Sequence, residues 1–252
     1  MRIRGKMPRL GTRKLYFLIK TELNHLCIKL GRDVLFKFLK AEGLLVTPKR
    51  SYIKTTNSKH WMKKHPDKAR DLILNRPEQL WVSDITYIKT AEGHNYLSLV
   101  TDAYSKRIMG YDLQENLSTT GPMNALLMAL KNRQYNQPLI HHSDRGLQYC
   151  SAEYTSTLES NGITISMTQN GDPYENAIAE RINGILKYEF LLIEGFKTHL
   201  EAIETIKDSI QIYNTYRPHL SCNMMVPMQC HQQNTMTLKK WIKKPRTIKS
   251  EV

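Results

Sequence analysis

The strongest constraint on this chain is a change of pattern at Leu80, where three β-rich segments on short turns give way to alternating strands and helices. Residues 81–88, Trp81-Val82-Ser83-Asp84-Ile85-Thr86-Tyr87-Ile88, are β-rich and partly alternating. Residues 96–101 and 107–111 repeat the pattern after the turn residues Glu92-Gly93-His94-Asn95 and the turn at 102–106. Connections this short predict an antiparallel meander. A helix follows that Thr119 or Thr120 can cap, with Met123, Leu126, Leu127 and Leu130 as its apolar stripe. Next come a strand at 138–142, a helix at about 152–160, a strand at 163–167 and two closing helices. The order βββαβαβαα predicts an α/β domain: a mixed five-stranded sheet covered by helices.

A smaller helical module precedes it. Leu15, Leu18, Ile19, Leu23 and Leu26 recur at helical spacing, and after Gly31 so do Val34, Leu35, Phe38 and Leu39, with Gly43 as a C-terminal stop. Two short helices with basic outer faces are compatible with a helix-turn-helix. Charge supports this division. The net charge is +14, yet the first 79 residues hold 20 Lys and Arg against 6 Asp and Glu. Residues 80–238 hold 11 against 16, and the tail 239–252 holds six against one. Such a lopsided basic end points to a polyanion, with nucleic acid as the default partner. The expected organisation is a helical DNA-binding module at 1–46, a basic linker at 47–70, an α/β core at 71–236 and a basic tail at 237–252. The tail, with Lys239-Lys240-Trp241-Ile242-Lys243-Lys244, grips DNA or serves as a solubilising end.

Several classes are excluded. The longest apolar run, residues 125–130, is far short of the roughly twenty residues a membrane span needs. The basic N-terminus leads into Pro8, Arg9 and Arg13 and not into an apolar signal segment. Cys27, Cys150, Cys222 and Cys230 form no C-x-x-C pair, which fits a reducing cytoplasm.

Three carboxylates stand out by their surroundings. Asp84 interrupts the first strand, Asp144 closes the fourth in His141-His142-Ser143-Asp144-Arg145-Gly146, and Glu180 lies on a late helix. Asp172, Pro173 and Glu175 fit N-cap, N1 and N3 of that helix. Its apolar face is Ile178, Ile182, Ile185 and Phe190, with Leu186 alongside. Glu180 lies about 200° around the axis from Ile178 and shares a polar stripe with Asn176, Asn183 and Lys187. Each acid alone has an ordinary reading: an edge charge, a turn former, a solvated helix residue. Together, a mid-strand acid, a strand-end acid and a helical acid can converge over one sheet edge, where oxygen donors without a basic partner suit a hard divalent cation. Asp102 reads as a strand-ending turn residue, and His141 and His142 as hydrogen-bonded strand-end histidines, neutral imidazole suiting zinc better than magnesium.

The blocks around these acids resemble a known family. Trp81-Val82-Ser83-Asp84-Ile85-Thr86-Tyr87, His142-Ser143-Asp144-Arg145-Gly146-Leu147-Gln148-Tyr149 and Asn176-Ala177-Ile178-Ala179-Glu180 are similar to the three catalytic blocks of the IS-three family of bacterial insertion-sequence transposases, relatives of retroviral integrases. Thirty-five residues separate Asp144 from Glu180, the family's usual spacing, and Lys187 matches the basic residue expected seven after the Glu. Tyr213-Asn214-Thr215-Tyr216-Arg217-Pro218-His219 and then Pro227 resemble its C-terminal signature. Arg181-Ile182-Asn183 departs from the Ser-Phe pair common after the Glu, which bears on subgroup and not on chemistry.

The resemblance implies a ribonuclease H-like core and a DNA strand transferase that cleaves and joins insertion-sequence ends. Asp84, Asp144 and Glu180 would be catalytic and would hold two Mg²⁺ ions, with Mn²⁺ as substitute. Lys187 would contact phosphate, as would Arg145 and the linker residues Lys49 and Arg50. Expected partners are element ends and target DNA, further copies of the chain assembled on DNA, and an upstream-frame protein; the expected location is the bacterial cytoplasm, at the nucleoid. Two other readings share part of the pattern: a non-catalytic DNA-binding regulator, and a nuclease on the same fold.

Overall fold

The computed structural model describes residues 2–46, 62–169 and 176–233. Lys49, Arg50, the basic tail and the helix-capping Asp172, Pro173 and Glu175 lie outside the described residues.

The strands form where the alternation predicts them: β1 (Leu80–Thr90), β2 (Gly93–Asp102), β3 (Ile108–Gln114), β4 (Leu139–Ser143) and β5 (Ile163–Met167). They make one mixed sheet in the order β3-β2-β1-β4-β5. β1, β2 and β3 are the antiparallel meander, while β4 runs parallel to β1 and β5 parallel to β4. The parallel returns run through α4 (Thr120–Lys131) and α5 (Ala152–Ser160). Thr119 precedes α4 without a side-chain cap, whereas the Ser151 side chain accepts from the Tyr154 N–H at the start of α5. α4 lies so close to β3 that a Cβ on Gly110 would collide with the Ala125 carbonyl.

Successive side chains of a strand point to opposite faces, so the sheet has two cores. Leu97 and Leu99 of β2 join Ile88 on one face, and Val100 joins Trp81 and Leu139 on the other, under α4 and α5. The first face is covered by α6 (Ala177–Glu189), through Ile182, Ile185 and Leu186, and by α7 (His199–Thr215), through Ile206 and Ile210. A short α8 (Pro227–His231) follows.

The N-terminal segment folds as α1 (Arg2–Lys6), α2 (Thr12–His25) and α3 (Arg32–Ala41). α1 is too short to show a period. Gly43 takes φ +65 and its N–H reaches the Lys40 carbonyl, the left-handed stop expected there. Met7, Leu10, Leu15, Leu35 and Leu39 are buried in the same cluster as Ile88 and Phe190, and the Arg9 N–H donates to the Glu189 carbonyl. Val34 and Phe38, read as part of the apolar stripe, are each 56% exposed, because α2 and α3 cover only one side of each other.

Candidate active site

The parallel pairing of β1 and β4 sets up the site. Its ladder matches Leu80 with Ile140, Trp81 with His141 and Val82 with His142. Asp84 and Asp144 each lie two residues further on, so they leave the ladder at equal height on neighbouring strands. This is the carboxyl end of a parallel pair, where open α/β sheets bind ligands. Asp84 is half-buried: Oδ1 accepts from the Ile85 N–H at 2.9 Å and Oδ2 from Asn183 Nδ2 at 2.7 Å. Asp144 Oδ1 accepts from the Gly146 N–H at 2.9 Å, an Asx turn that carries the chain off the strand.

α6 crosses above β1. It is described from Ala177, with Asn176 in the N-cap position at φ −122. The Asn176 side chain does not cap; its Nδ2 donates to the Ser83 carbonyl at 2.9 Å. Ala179 packs against Leu80 and Val82, and Asn183 is buried on Asp84. The polar stripe read from the sequence is therefore the face that meets β1. Glu180 lies on it, exposed, in the first turn of α6. Among the described residues, no three His, Cys, Asp or Glu side chains stand close enough to hold one metal ion.

The electrostatics nevertheless couple the acids. Burial pushes the Asp84 carboxyl up to about 7, and the charges of Asp144 and then Glu180 push the same way, against the hydrogen bonds from Asn183 and Ile85. Burial raises Glu180 too. Burial lowers the Lys187 ammonium, and the Asp84 charge opposes that, so Lys187 lies within the field of the site. Arg145 is half-buried beside Asp144. An all-oxygen set whose charges push the same carboxyl upward suits a hard divalent cation.

The residues beneath the acids are held in hydrogen bonds of the fold. Burial holds the His141 imidazole down to about 3, and its Nε2 bonds Ser83 Oγ at 2.7 Å and the Tyr154 hydroxyl at 2.9 Å. His142 Nδ1 bonds Ser166 Oγ at 2.8 Å. Asp102 is the turn acid it resembles, accepting from the Glu78 and Ser105 N–H groups at 2.8 Å. Sequence reasoning missed a fully buried group behind the site: His231 Nε2 lies 3.1 Å from Glu78 Oε1, and its Nδ1 lies 3.5 Å from Asp102 Oδ2. It also missed the partner of Arg217, whose Nε and Nη2 each donate to the Glu189 carboxylate at 2.7 Å. The periodic patterns that mark elements carry no signal for such long-range pairs.

Two matches to the family described as Integrase core domain cover residues 75–173 and 161–227. An uncharacterized 31 kDa protein of insertion element IS600 from Shigella sonnei is 38% identical over 211 residues, 83% of this chain and 76% of that protein. The transposase of IS629 from the same organism is 31% identical over 75% of this chain and 64% of its own length. Transposase InsF of IS3fB from Escherichia coli K12 is 35% identical over 66% of this chain, and this chain spans 58% of its length. Among solved structures, a simian T-cell lymphotropic virus intasome in complex with PP2A regulatory subunit B56 gamma gives a TM-score of 0.56 at 17% identity, covering 93% of this chain and 79% of that one. The HTLV-2 integrase catalytic core domain in complex with magnesium gives 0.51 at 20% identity, covering 62% and 97%. The sheet order and these likenesses establish the ribonuclease H-like fold.

Proposed function

From the premise that this chain belongs to the IS3 family of insertion-sequence transposases, with an integrase core, we infer that it cleaves and joins DNA with Asp84, Asp144 and Glu180 as its catalytic acids. Transposition of DNA is the family's activity; the residues and the metal are the finer reading. The observation that carries it is the placing of Asp84 and Asp144, each two residues beyond the last matched pair of the β1–β4 ladder, with Asp84 raised to about 7 by burial first and then by the Asp144 and Glu180 charges.

In this reading Asp84, Asp144 and Glu180 would together hold the divalent metal, Mg²⁺ with Mn²⁺ as substitute. When bound, such ions supply charge stabilisation to the attacking and leaving oxygens of an in-line displacement. The chain's own groups orient and neutralise. Lys187, at the edge of the Asp84 field, binds a phosphate near the scissile bond, and Arg145 a second. Water attacks first, breaking one phosphodiester and freeing a 3′ hydroxyl. That hydroxyl then attacks a second phosphodiester, forming one P–O bond as another breaks. The helices of 1–46 and the basic linker through Lys49 and Arg50 hold the duplex, and copies of the chain assemble on DNA. Among the described residues no helix is long and apolar enough to cross a membrane.

The test is cleavage of an element-end oligonucleotide with Mg²⁺. Asp84→Asn, Asp144→Asn and Glu180→Gln each lose cleavage and keep DNA affinity. Near-normal cutting by any one of them overturns its assignment. A pre-nicked end that is joined into branched product separates a transposase from a nuclease.

A further inference from the structure

Two buried amides tie α6 to β1 on either side of Glu180. Asn176 Nδ2 donates to the Ser83 carbonyl at 2.9 Å, and Asn183 Nδ2 donates to Asp84 Oδ2 at 2.7 Å. Ser83 and Asp84 are consecutive on β1, whereas the two asparagines are seven residues apart, two turns of one helix face. Glu180 falls between them, four after the first and three before the second. Ala179, small and buried, packs on Leu80 and Val82.

The amides have one sense only. Neither Asn176 Oδ1 nor Asn183 Oδ1 has a hydrogen-bond partner among the described residues. Reversal would turn each oxygen onto another oxygen, a carbonyl or a carboxylate, so each N–H is committed to β1. Leaving two buried acceptors unpaired is costly. The expense makes sense if what the amides grip must not move.

We propose that Asn176 and Asn183 form a two-point clamp that fixes the position of Glu180 relative to Asp84, and so sets the affinity of the carboxylate cluster for divalent metal. They are positioning residues; the metal contacts remain with the acids, and the clamp rests on the reading of Asp84, Asp144 and Glu180 given above. Releasing either point frees the first turns of α6, so the two losses overlap.

The test uses the full chain, with Mn²⁺ as the probe. Melting temperature is followed against Mn²⁺ concentration for wild type, Asn176→Ala, Asn183→Ala, the double variant and Asp84→Asn. Each single variant raises the half-saturating concentration by about tenfold, the range seen when groups that orient metal ligands are removed. The double variant adds little more, because coupled sites are not additive. In the metal-free chain, hydrogen exchange of the 177–183 amides quickens in both single variants, while α4 and α5 are unaffected. A half-saturating concentration within twofold of wild type, even with a lower melting temperature, means that the amides serve only the fold and overturns the proposal. Should wild type show no Mn²⁺ effect, or Asp84→Asn retain it, the metal reading fails. Hydrogen exchange then decides the clamp: unchanged exchange along α6 in both variants ends it.

Discussion

In the absence of metal, Asp84 is a burden on the fold, and replacing it should make the protein more stable. Its carboxyl is raised from 3.8 to about 7 by burial and by Asp144 and Glu180. A raised acid binds its proton more tightly in the folded state. The penalty for ionising it is therefore absent below pH 3.8, grows through the interval up to 7 and is complete above it. Three pH units at about 1.4 kcal/mol each set a ceiling of about 4 kcal/mol. Asp84 is only half-buried, so solvent screening brings this to about 2 kcal/mol. Asp84→Asn keeps the shape, removes the charge and leaves one oxygen to accept from Asn183, while its amide nitrogen faces the Ile85 N–H, so about 2 kcal/mol is an upper figure for the gain. Urea unfolding in EDTA at pH 8 should show the variant more stable by about 2 kcal/mol, a gap that narrows as pH falls through 7 and is gone by about pH 4. Mn²⁺ should reverse the order, since only wild type gains binding energy. A variant equal to or weaker than wild type at pH 8 in EDTA would refute the claim that burial and the neighbouring acids make the ionised Asp84 costly to the fold.

Two other buried charge groups give clear expectations. Arg217 is fully buried, and its fork on Glu189 holds that carboxyl below its usual range despite burial. Arg217→Met should cost about 3 kcal/mol, the low end for a broken buried pair because Lys14 still lies 3.4 Å from Glu189; pairing it with Glu189→Leu should recover most of the loss. Chemical denaturation reads both, and a loss below about 1 kcal/mol would count against a buried ion pair there. Burial alone would lower His231, but its hydrogen bonds to Asp102 and Glu78 raise it above its ordinary 6.5. Its contribution should be full below pH 6.5 and fade as pH rises through the raised value, so wild type should lose stability as pH climbs past 6.5. In His231→Gln that alkaline slope should flatten, and an unchanged slope would place the titrating group elsewhere.

Local pattern and tertiary partnership were unequally legible in this chain. All five strands are where alternation and turn residues put them, because a half-buried strand must alternate. The polar stripe of α6 was readable too, since Asn176, Glu180, Asn183 and Lys187 share a face by helical geometry alone. What it faces was not readable, because Asn183 meets an acid 99 positions earlier. Nor was it readable that Asn176 is held on β1 by the Ser83 carbonyl, 93 positions earlier. The group of Glu78, Asp102 and His231 spans 153 positions, and no periodicity could reveal it. Val34 and Phe38 show the opposite failure: a perfect helical stripe says which face is apolar, not whether anything covers it.

The central claim is that Asp84, Asp144 and Glu180 share divalent metal, and the most direct measurement is anomalous diffraction from crystals of the protein soaked in Mn²⁺. Two peaks about 3.5–4 Å apart, with Asp84 between them, Asp144 on one and Glu180 on the other, are the expected result. No manganese at these carboxylates at millimolar concentration, or manganese held only by other residues, would contradict it.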